Sequence, residues 1–331
     1  MARDGELRLR FGDGGICVRA DSEQLLKPLK NYLHEHLVPE YECPATLQLH
    51  LRKTISPIPT HAALVLRYYG LKGFFEAGRT YFTDFRSYLT IQPDGKKALG
   101  FISPETLKES GLHFFTHIFF TIALFEMLRH QRIFFLHSAA LVSPGGQSLI
   151  FPASAGQGKS TLTLYLIREG FRYLSDDTIF LSRAGGRVCM TGFQKLSHLP
   201  EEIFDSFTEL KSFKNAPRLE SRGKKMVSLE KVFPGRRIHE NLSTGALFFL
   251  QKTKNRASRL EPLDKIHAFQ LLLDQSPFAS INPGLAQEHM NILRDCVAAN
   301  RTWLFKSGSD WLRNPRLLKT ILAAALNGGG L

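Results

Sequence analysis

The sequence predicts an α+β region over residues 1–130 and an α/β domain over residues 131–326. A flexible tail is predicted to follow at residues 327–331. Two observations favour this fold class. Short alternating strands and one early helix fill the first part, which closes with a long apolar helix. The second part then runs strand, glycine-rich loop, helix and strand, an order typical of an α/β domain.

The composition is that of a folded protein with excess positive charge. Of 331 residues, 43% are hydrophobic and 22% are charged, which excludes a disordered or collagen-like chain. The 43 Lys and Arg residues outnumber the 30 Asp and Glu residues, giving a formal charge of +13. This excess serves either solubility or a site built for phosphates or an acidic partner. Because the cations are spread along the chain, we expect no nucleic-acid partner.

Cysteine usage and the apolar segments indicate a cytoplasmic protein. The four Cys residues are scattered without a Cys-x-x-Cys pair, so we expect reduced thiols, with neither a disulfide framework nor a structural zinc site. The polar, charged start of the chain predicts no signal peptide. The most apolar stretch, residues 112–128, contains His113, His117 and Glu126. It falls short of the roughly 20 apolar residues of a membrane span, which favours a buried helix.

The elements of the first part follow from alternation, helical spacing and turn residues. A hairpin is predicted over residues 6–19 around a turn at 12–15, and a helix over 22–36. Further strands are predicted at residues 45–51, 63–67, 73–75, 80–82 and 88–92. Ser103 as N-cap and Pro104 in the first turn begin the apolar helix, which extends to residue 129.

The elements of the second part surround the glycine-rich loop. Strands are predicted at residues 132–142, 148–152 and 171–175, with a helix at 159–169 between the last two. A hairpin at 178–191 turns at residues 184–186. Later strands near 226–229, 246–250 and 302–305 and helices near 263–275, 284–300 and 314–326 complete the domain.

The most informative segment is this loop, which reads A-S-A-G-Q-G-K-S from Ala153, a Walker A pattern with Ala in place of the first Gly. Gly156 and Gly158 allow successive backbone N–H groups to point at phosphate oxygens, and the helix that follows adds its positive end. Lys159 would reach the β- and γ-phosphates, and the Ser160 hydroxyl would bind Mg²⁺. The pattern therefore predicts bound ATP and Mg²⁺.

The predicted nucleotide-binding residues are Ala153, Ser154, Ala155, Gly156, Gln157, Gly158, Lys159, Ser160 and Thr161. One alternative is a glycine-rich strand–helix turn with a chance Lys-Ser. Another is a nucleophile elbow around Ser154, which fails because Pro152 stands where the motif requires Gly.

Two adjacent acids follow one helix and one strand later, with Asp176 and Asp177 lying 17 and 18 residues after Lys159. Two carboxylates beside a magnesium nucleotide can divide the work, one on the metal and the other accepting a proton from an attacking hydroxyl. The alternative is a pair of solvated residues at the start of a hairpin. His137, taken alone, indicates a core or hydrogen-bonded histidine.

The segment LHSAALVSPGGQSLIFPASAGQGKSTLTLYLIREGFRYLSDD resembles the catalytic domain of HPr serine kinase/phosphorylase. That family shows a His, a hairpin, G-x-S-G-x-G-K-S, a helix and a strand ending in Asp-Asp. The resemblance covers residues 136–177. It implies an α/β P-loop domain of the HPr kinase and phosphoenolpyruvate carboxykinase-like type, and a homo-oligomer as one possible assembly.

The resemblance also implies roles for single residues. Asp176 matches the carboxylate that deprotonates the acceptor serine, and Asp177 matches its acidic neighbour at the metal, so the implied metal ligands are Ser160 and Asp177. His137 matches the family's active-site histidine. Together with Lys159, these residues give the expected catalytic set of Asp176, His137 and Lys159.

The chain also departs from the family. Ala153 and Ala155 replace a Gly and a Ser, and Thr161 stands where HPr kinases usually carry Glu. The L-E-I-R-G-L-G signature is not recognisable, although Glu201 and Glu202 fall in roughly that region. The chain is thus more similar to divergent HPr-kinase-like proteins that accompany peptide-modification cassettes or phosphorylate other serine-bearing substrates.

A basic pair offers a further candidate. Lys224 and Lys225 could clamp a phosphate during transfer, or could belong to a solvated basic turn.

We therefore predict an ATP- and Mg²⁺-dependent kinase that phosphorylates a Ser or Thr hydroxyl on a peptide or small protein. Two alternatives remain. One is a nucleotide-gated binding or scaffold module without phosphotransfer, and the other is a kinase of a small molecule such as free serine. The N-terminal part is expected to recognise the substrate or a partner.

Overall fold

The computed structural model describes residues 5–53, 58–109, 111–193, 196–219 and 224–326. The chain is a mixed α/β protein that divides into two compact units. The first consists of Met1–Phe135 and Pro277–Asn291, and the second of Leu136–Ser276 and Ile292–Leu331. The tail predicted at 327–331 lies outside the described residues.

The first unit is built on an eight-stranded sheet in the order β1-β2-β3-β8-β7-β6-β5-β4. The pairs β2–β3 and β3–β8 are parallel, and the other neighbours are antiparallel. The strands are β1 (Glu6–Phe11), β2 (Gly14–Ala20), β3 (Thr46–Leu51), β4 (Ala63–Tyr68), β5 (Leu71–Glu76), β6 (Arg79–Thr83), β7 (Tyr88–Ile91) and β8 (Lys97–Ile102).

The helices of this unit bury apolar side chains. They are α1 (Glu23–Tyr32), α2 (Pro104–Glu109), α3 (Gly111–His113), a π-helical segment (Phe114–Phe120) and α4 (Thr121–His130). The apolar helix predicted over 103–129 is therefore interrupted by a wider turn. Gly111–His130 is long and apolar enough to cross a membrane by length and composition, but 67% of its most apolar window is buried inside the protein. This burial supports a core helix.

The segment 277–291 belongs to the first unit because its side chains and backbone pack there. The Phe278 ring lies 5.2 Å from that of Phe135 and 6.2 Å from that of Phe125. The buried Arg129 donates from Nη2 to the Ala279 carbonyl at 2.7 Å and from Nη1 to Glu126 Oε2 at 2.7 Å. The boundary predicted near residue 130 assigns this segment to the second part. No local pattern in the sequence predicts the contacts that join it to the first unit.

The expectation of reduced thiols throughout is wrong for one pair, since Cys17 and Cys43 form a disulfide. Cys17 lies in β2, and its backbone N–H donates to the Ala45 carbonyl at 2.9 Å just before β3 begins. Parallel pairing of β2 with β3 thus brings the two cysteines together across 26 residues of sequence. Cys189 and Cys296 are free thiols.

The second unit is built on a six-stranded sheet in the order β12-β10-β11-β19-β21-β20. Its strands are β10 (Ser138–Val142), β11 (Ser148–Pro152), β12 (Arg172–Ser175), β19 (Ala246–Lys252), β20 (Arg259–Pro262) and β21 (Thr302–Ser307). β10 is antiparallel to both β11 and β12, whereas β11, β19 and β21 are parallel. β9 (Phe134–Leu136) precedes β10, so the strand predicted over 132–142 is broken at His137.

Smaller strands and helices surround this sheet. The hairpin predicted at 178–191 is confirmed as β13 (Ile179–Ala184) and β14 (Arg187–Gly192), and the remaining strands are β15 (Ser197–Pro200), β16 (Arg218–Leu219), β17 (Lys224–Val227) and β18 (Leu242–Ser243). The helices are α5 (Lys159–Arg168), α6 (Leu229–Val232), α7 (Lys265–Asp274), α8 (Pro283–Ala299), α9 (Asp310–Arg313) and α10 (Pro315–Leu326), with 3₁₀ turns at Glu201–Asp205 and Thr208–Phe213. Leu162 and Leu166 of α5 share one core with Phe151, Phe248 and Phe305 of the sheet.

Candidate functional site

Three separate stretches of sequence meet at one edge of the six-stranded sheet. Because β10 runs antiparallel to β11 and β12, its first residue lies beside the last residues of both neighbours. Ser138 pairs with Pro152, and Ala140 pairs with Ser175. His137, the loop after β11 and the two acids after β12 therefore share this edge.

The glycine-rich loop, residues 153–158, connects β11 to α5. Gly156 and Gly158 adopt left-handed φ angles of +88° and +97°, which side chains other than glycine rarely tolerate. Gly158 is the N-cap of α5, and its carbonyl accepts the Leu162 N–H at 2.9 Å. A Cβ atom added at either glycine would meet no heavy atom within 4 Å. The loop is therefore open on the side that these glycines face, and a turn of this kind can direct backbone N–H groups at an anion.

Lys159 folds back over this loop. Its side chain is buried, and its Nζ donates a hydrogen bond to the carbonyl of Ala153, the first loop residue. Ser160 and Thr161 follow in the first turn of α5 and are half-buried. The arrangement combines a cation, a helix N-terminus and an open glycine turn, each of which attracts an anion.

Two glutamine contacts hold the loop in place. Gln275, just after α7, donates from Nε2 to Ser154 Oγ at 3.3 Å, and its carbonyl accepts the His137 N–H at 2.9 Å. On the other side, Gln157 Oε1 accepts the backbone N–H of Lys252 at 2.8 Å. Neither Gln275 nor Lys252 is predicted from the sequence, and no local signal marks them, because they lie 121 and 95 residues from their partners.

The two acids differ in their surroundings. Asp176 is buried, with 5% of its surface exposed, so the alternative of two solvated turn residues does not describe it. Asp177 is half-buried, and its Oδ2 accepts a hydrogen bond from Thr178 Oγ1 at 2.9 Å. Ser175 Oγ accepts the N–H groups of Asp177 and Thr178 at 3.4 and 3.2 Å. These bonds fix the turn from which both carboxylates project.

His137 meets the second acid. Its Nε2 lies 3.2 Å from Asp177 Oδ1, with both side chains partly exposed to solvent. The break between β9 and β10 explains this position, since the His137 N–H pairs with the Gln275 carbonyl and not with a strand. The structure thus brings His137, a predicted catalytic residue, to Asp177, a predicted metal ligand.

The donor atoms suit magnesium. Ser160 and Asp177 offer oxygen ligands, which hard divalent cations prefer. Among the described residues, no group of three or more His, Cys, Asp and Glu side chains could hold a metal.

Lys225, the second residue of the basic pair, is held by contacts within the protein. Lys225 is buried, its Nζ donates to the Lys214 carbonyl, and it lies 3.1 Å from Glu201 Oε1 and 4.9 Å from the centre of the Phe204 ring. The solvated turn considered for it is wrong, because this ammonium is buried against a carboxylate and an aromatic ring of the 3₁₀ turn Glu201–Asp205. Its partner Glu201 is one of the two acids considered for the family's metal-site Glu.

Comparisons with known proteins add little to this geometry. No family model matches the chain, and no curated protein matches it. Among solved structures, the HPr(Ser) kinase/phosphatase from Coxiella burnetii is similar, with 16% sequence identity and a TM-score of 0.32. The match covers 58% of this chain and 89% of that one. A likeness at this level assigns neither a family nor an activity.

Proposed function

We propose that the protein transfers the γ-phosphoryl group of ATP to a Ser or Thr hydroxyl of a peptide or small protein. The observation that carries this proposal is the shared sheet edge. An open glycine-rich loop closed by a buried lysine lies at the same edge as a buried aspartate and a His–Asp pair. Phosphoryl transfer requires these parts: a phosphate cradle, a cation, carboxylates for metal and base, and a fixed orientation.

The loop and Lys159 would bind the triphosphate. The N–H groups after Gly156 and Gly158 would donate to phosphate oxygens, and the N-terminus of α5 adds a favourable dipole worth on the order of 1 kcal/mol. Lys159 would exchange its bond to the Ala153 carbonyl for a phosphate oxygen. Gln275 and Gln157 would keep the loop ordered, which lowers the entropic cost of binding.

The two aspartates would divide the remaining work. Ser160 and Asp177 would hold Mg²⁺, which would supply positive charge beside the transferred phosphoryl group. Asp176 would accept the proton of the attacking hydroxyl, as a carboxylate that the protein shields from water. His137 would orient Asp177 through their 3.2 Å contact.

The test combines two variants with separate readouts. In wild type, incubation with γ-labelled ATP, Mg²⁺ and a panel of Ser- and Thr-containing peptides should label at least one peptide. Asp176→Asn should retain affinity for a fluorescent ATP analogue and lose labelling, whereas Lys159→Ala should weaken both. Asp205→Asn is the matched control, because that aspartate is 80% exposed and pairs with Lys214.

Peptide labelling and nucleotide affinity together distinguish the kinase from its alternatives. Full labelling by Asp176→Asn would remove its role as base. Unchanged nucleotide affinity in Lys159→Ala would overturn the phosphate site itself. Nucleotide binding with slow hydrolysis and no labelled peptide would favour a binding module, and competition by free serine would favour a small-molecule kinase.

A further inference from the structure

A loop rich in positive charge lies beside the glycine-rich loop. Residues 252–258, here called the cationic loop, connect β19 to β20 and contain Lys252, Lys254 and Arg256, all exposed. The sequence from Lys252 to Leu260 contains no acidic residue. Three like charges within five residues repel one another, so their spacing does not favour the fold by itself.

The backbone of this loop is fixed at several points. Lys252 N–H donates to Gln157 Oε1 at 2.8 Å, which joins the cationic loop to the glycine-rich loop. Further along, the Arg256 carbonyl accepts the N–H groups of Ser309 and Asp310 at 3.1 and 3.0 Å. Because β19 and β21 are parallel to β11, the loop lies at the same sheet edge as the candidate site.

The nearby acids have other partners. The Asp310 carboxylate accepts hydrogen bonds from the Ser258 N–H at 2.7 Å and the Trp311 N–H at 2.9 Å. Glu261 lies 2.7 Å from the Lys306 ammonium and 3.0 Å from Arg259 Nε. Within the part of the chain that the structure describes, no ion pair neutralises Lys252, Lys254 or Arg256. Their charge is therefore directed to solvent or to a ligand.

The layout of the charges indicates an extended ligand. Lys252 lies at the end of β19, and the Arg256 backbone contacts the residues that follow β21. Neighbouring strands are spaced about 4.8 Å apart. The cationic loop therefore crosses from the end of β19 to the end of β21, in the direction away from the glycine-rich loop. An extended peptide rises about 3.4 Å per residue, so a segment of about three residues covers this line.

We propose that the cationic loop binds an acidic segment of the acceptor, so that the preferred substrates carry Asp or Glu residues next to the phosphorylated Ser or Thr. This inference rests on the proposed function and names its substrate class. Charge complementarity of this kind raises the association rate and selects partners, and it weakens with ionic strength.

Peptide binding can be measured apart from catalysis. We would use fluorescence anisotropy with a labelled peptide in which one Ser is flanked by Glu on both sides, and with the same peptide carrying Gln in place of Glu. The protein is loaded with Mg²⁺ and a non-hydrolysable ATP analogue. Wild type should bind the Glu peptide about tenfold more tightly than the Gln peptide, and added salt should reduce the difference.

Two double variants of equal charge separate a local from a general effect. Lys254→Glu with Arg256→Glu should remove the preference for the Glu peptide and leave the affinity for the nucleotide analogue unchanged. Lys231→Glu with Arg236→Glu is the control, because both side chains are exposed and the Arg236 carbonyl accepts the Tyr173 N–H near the start of β12, at the opposite sheet edge. The control should retain the preference.

Equal binding of the two peptides by wild type, or equal losses in both double variants, would overturn the inference. A parallel loss of nucleotide affinity in the loop variant would also overturn it, since the cations would then serve the nucleotide. Selective binding of the Glu peptide without phosphate transfer would instead contradict the proposed function and leave this docking surface in place.

Discussion

His137 Nε2 lies 3.2 Å from Asp177 Oδ1, which joins the residue before β10 to a residue after β12. The two residues flank neighbouring strands that run in opposite directions, so the contact lies at the sheet edge that also contains the glycine-rich loop. A histidine in this position can fix the orientation of a carboxylate that binds a metal ion. The pair is thus the direct structural link between the predicted catalytic and metal-binding residues.

His137→Ala should weaken Mg²⁺ binding, because Asp177 would lose the partner that orients it. Removing a group that positions a metal ligand typically lowers metal affinity about 10- to 100-fold. The measurement is a Mg²⁺ titration of the binding of a fluorescent ATP analogue. His239→Ala, at an exposed position in the same unit, is the control. An unchanged Mg²⁺ dependence would contradict the positioning role.

Gly156→Ala and Gly158→Ala should weaken nucleotide binding. Both positions have open space for a methyl group but left-handed φ angles, which an L-residue adopts at a cost of roughly 1–2 kcal/mol. Gly235→Ala is a matched control, since its φ is +71° and its Cβ would also meet nothing within 4 Å. All three variants should lose similar stability in thermal unfolding, and only the first two should lose nucleotide affinity. A comparable affinity loss in Gly235→Ala would count against the loop as the binding site.

Gln275→Ala should reduce nucleotide affinity through the loop. Its hydrogen bond to Ser154 is of a kind that contributes about 0.5–1.5 kcal/mol, which corresponds to a roughly two- to tenfold change. Ser154→Ala should have a similar effect, and the double variant should be no weaker than Gln275→Ala alone. Additive losses in calorimetric binding measurements would show that the two residues act separately.

The disulfide should stabilise the first unit. Closing a loop of 26 residues by Cys17–Cys43 constrains the unfolded chain, a contribution of about 3 kcal/mol. Reduction, or the double change Cys17→Ser with Cys43→Ser, should lower the unfolding temperature of wild type. Cys189→Ser should unfold like wild type and respond to reductant in the same way. No effect of reductant on the unfolding of wild type would refute this contribution.

The stability of the first unit should fall on acidification. Burial, together with the nearby Arg129 guanidinium, lowers the pKa of His289 from 6.5 to about 3. In the unfolded chain this histidine therefore binds a proton below pH 6.5, whereas in the folded chain it does so only near pH 3. This histidine therefore leaves the free energy of unfolding unchanged above pH 6.5. Between pH 6.5 and about pH 3 it lowers that free energy by about 1.4 kcal/mol for each pH unit of acidification.

Denaturant unfolding between pH 7 and pH 4 measures this loss. His289→Gln should unfold with a flatter pH dependence than wild type, whereas His61→Gln, at an exposed position of the same unit, should follow the wild-type curve. Parallel curves for wild type and His289→Gln would assign the acid sensitivity to other groups.

Local patterns predicted the elements around the site. The apolar run before Pro152, the glycine spacing and the Lys-Ser pair predicted β11, the loop and α5, which the structure has at Ser148–Pro152 and Lys159–Arg168. These features depend on backbone conformation and side-chain character within about ten residues, so the sequence determines them directly. The same local reading could not place a break at His137, because the reason for that break is a hydrogen bond to Gln275.

By itself, the sequence determined the order of strand, glycine-rich loop, helix and acidic turn in this protein. Only the tertiary structure decided which residues meet: Gln275 with Ser154, Lys252 with Gln157, His137 with Asp177, and Cys17 with Cys43. The physical reason is that strand direction, strand order and core packing set these contacts, and they join residues far apart in the chain that no local periodicity connects.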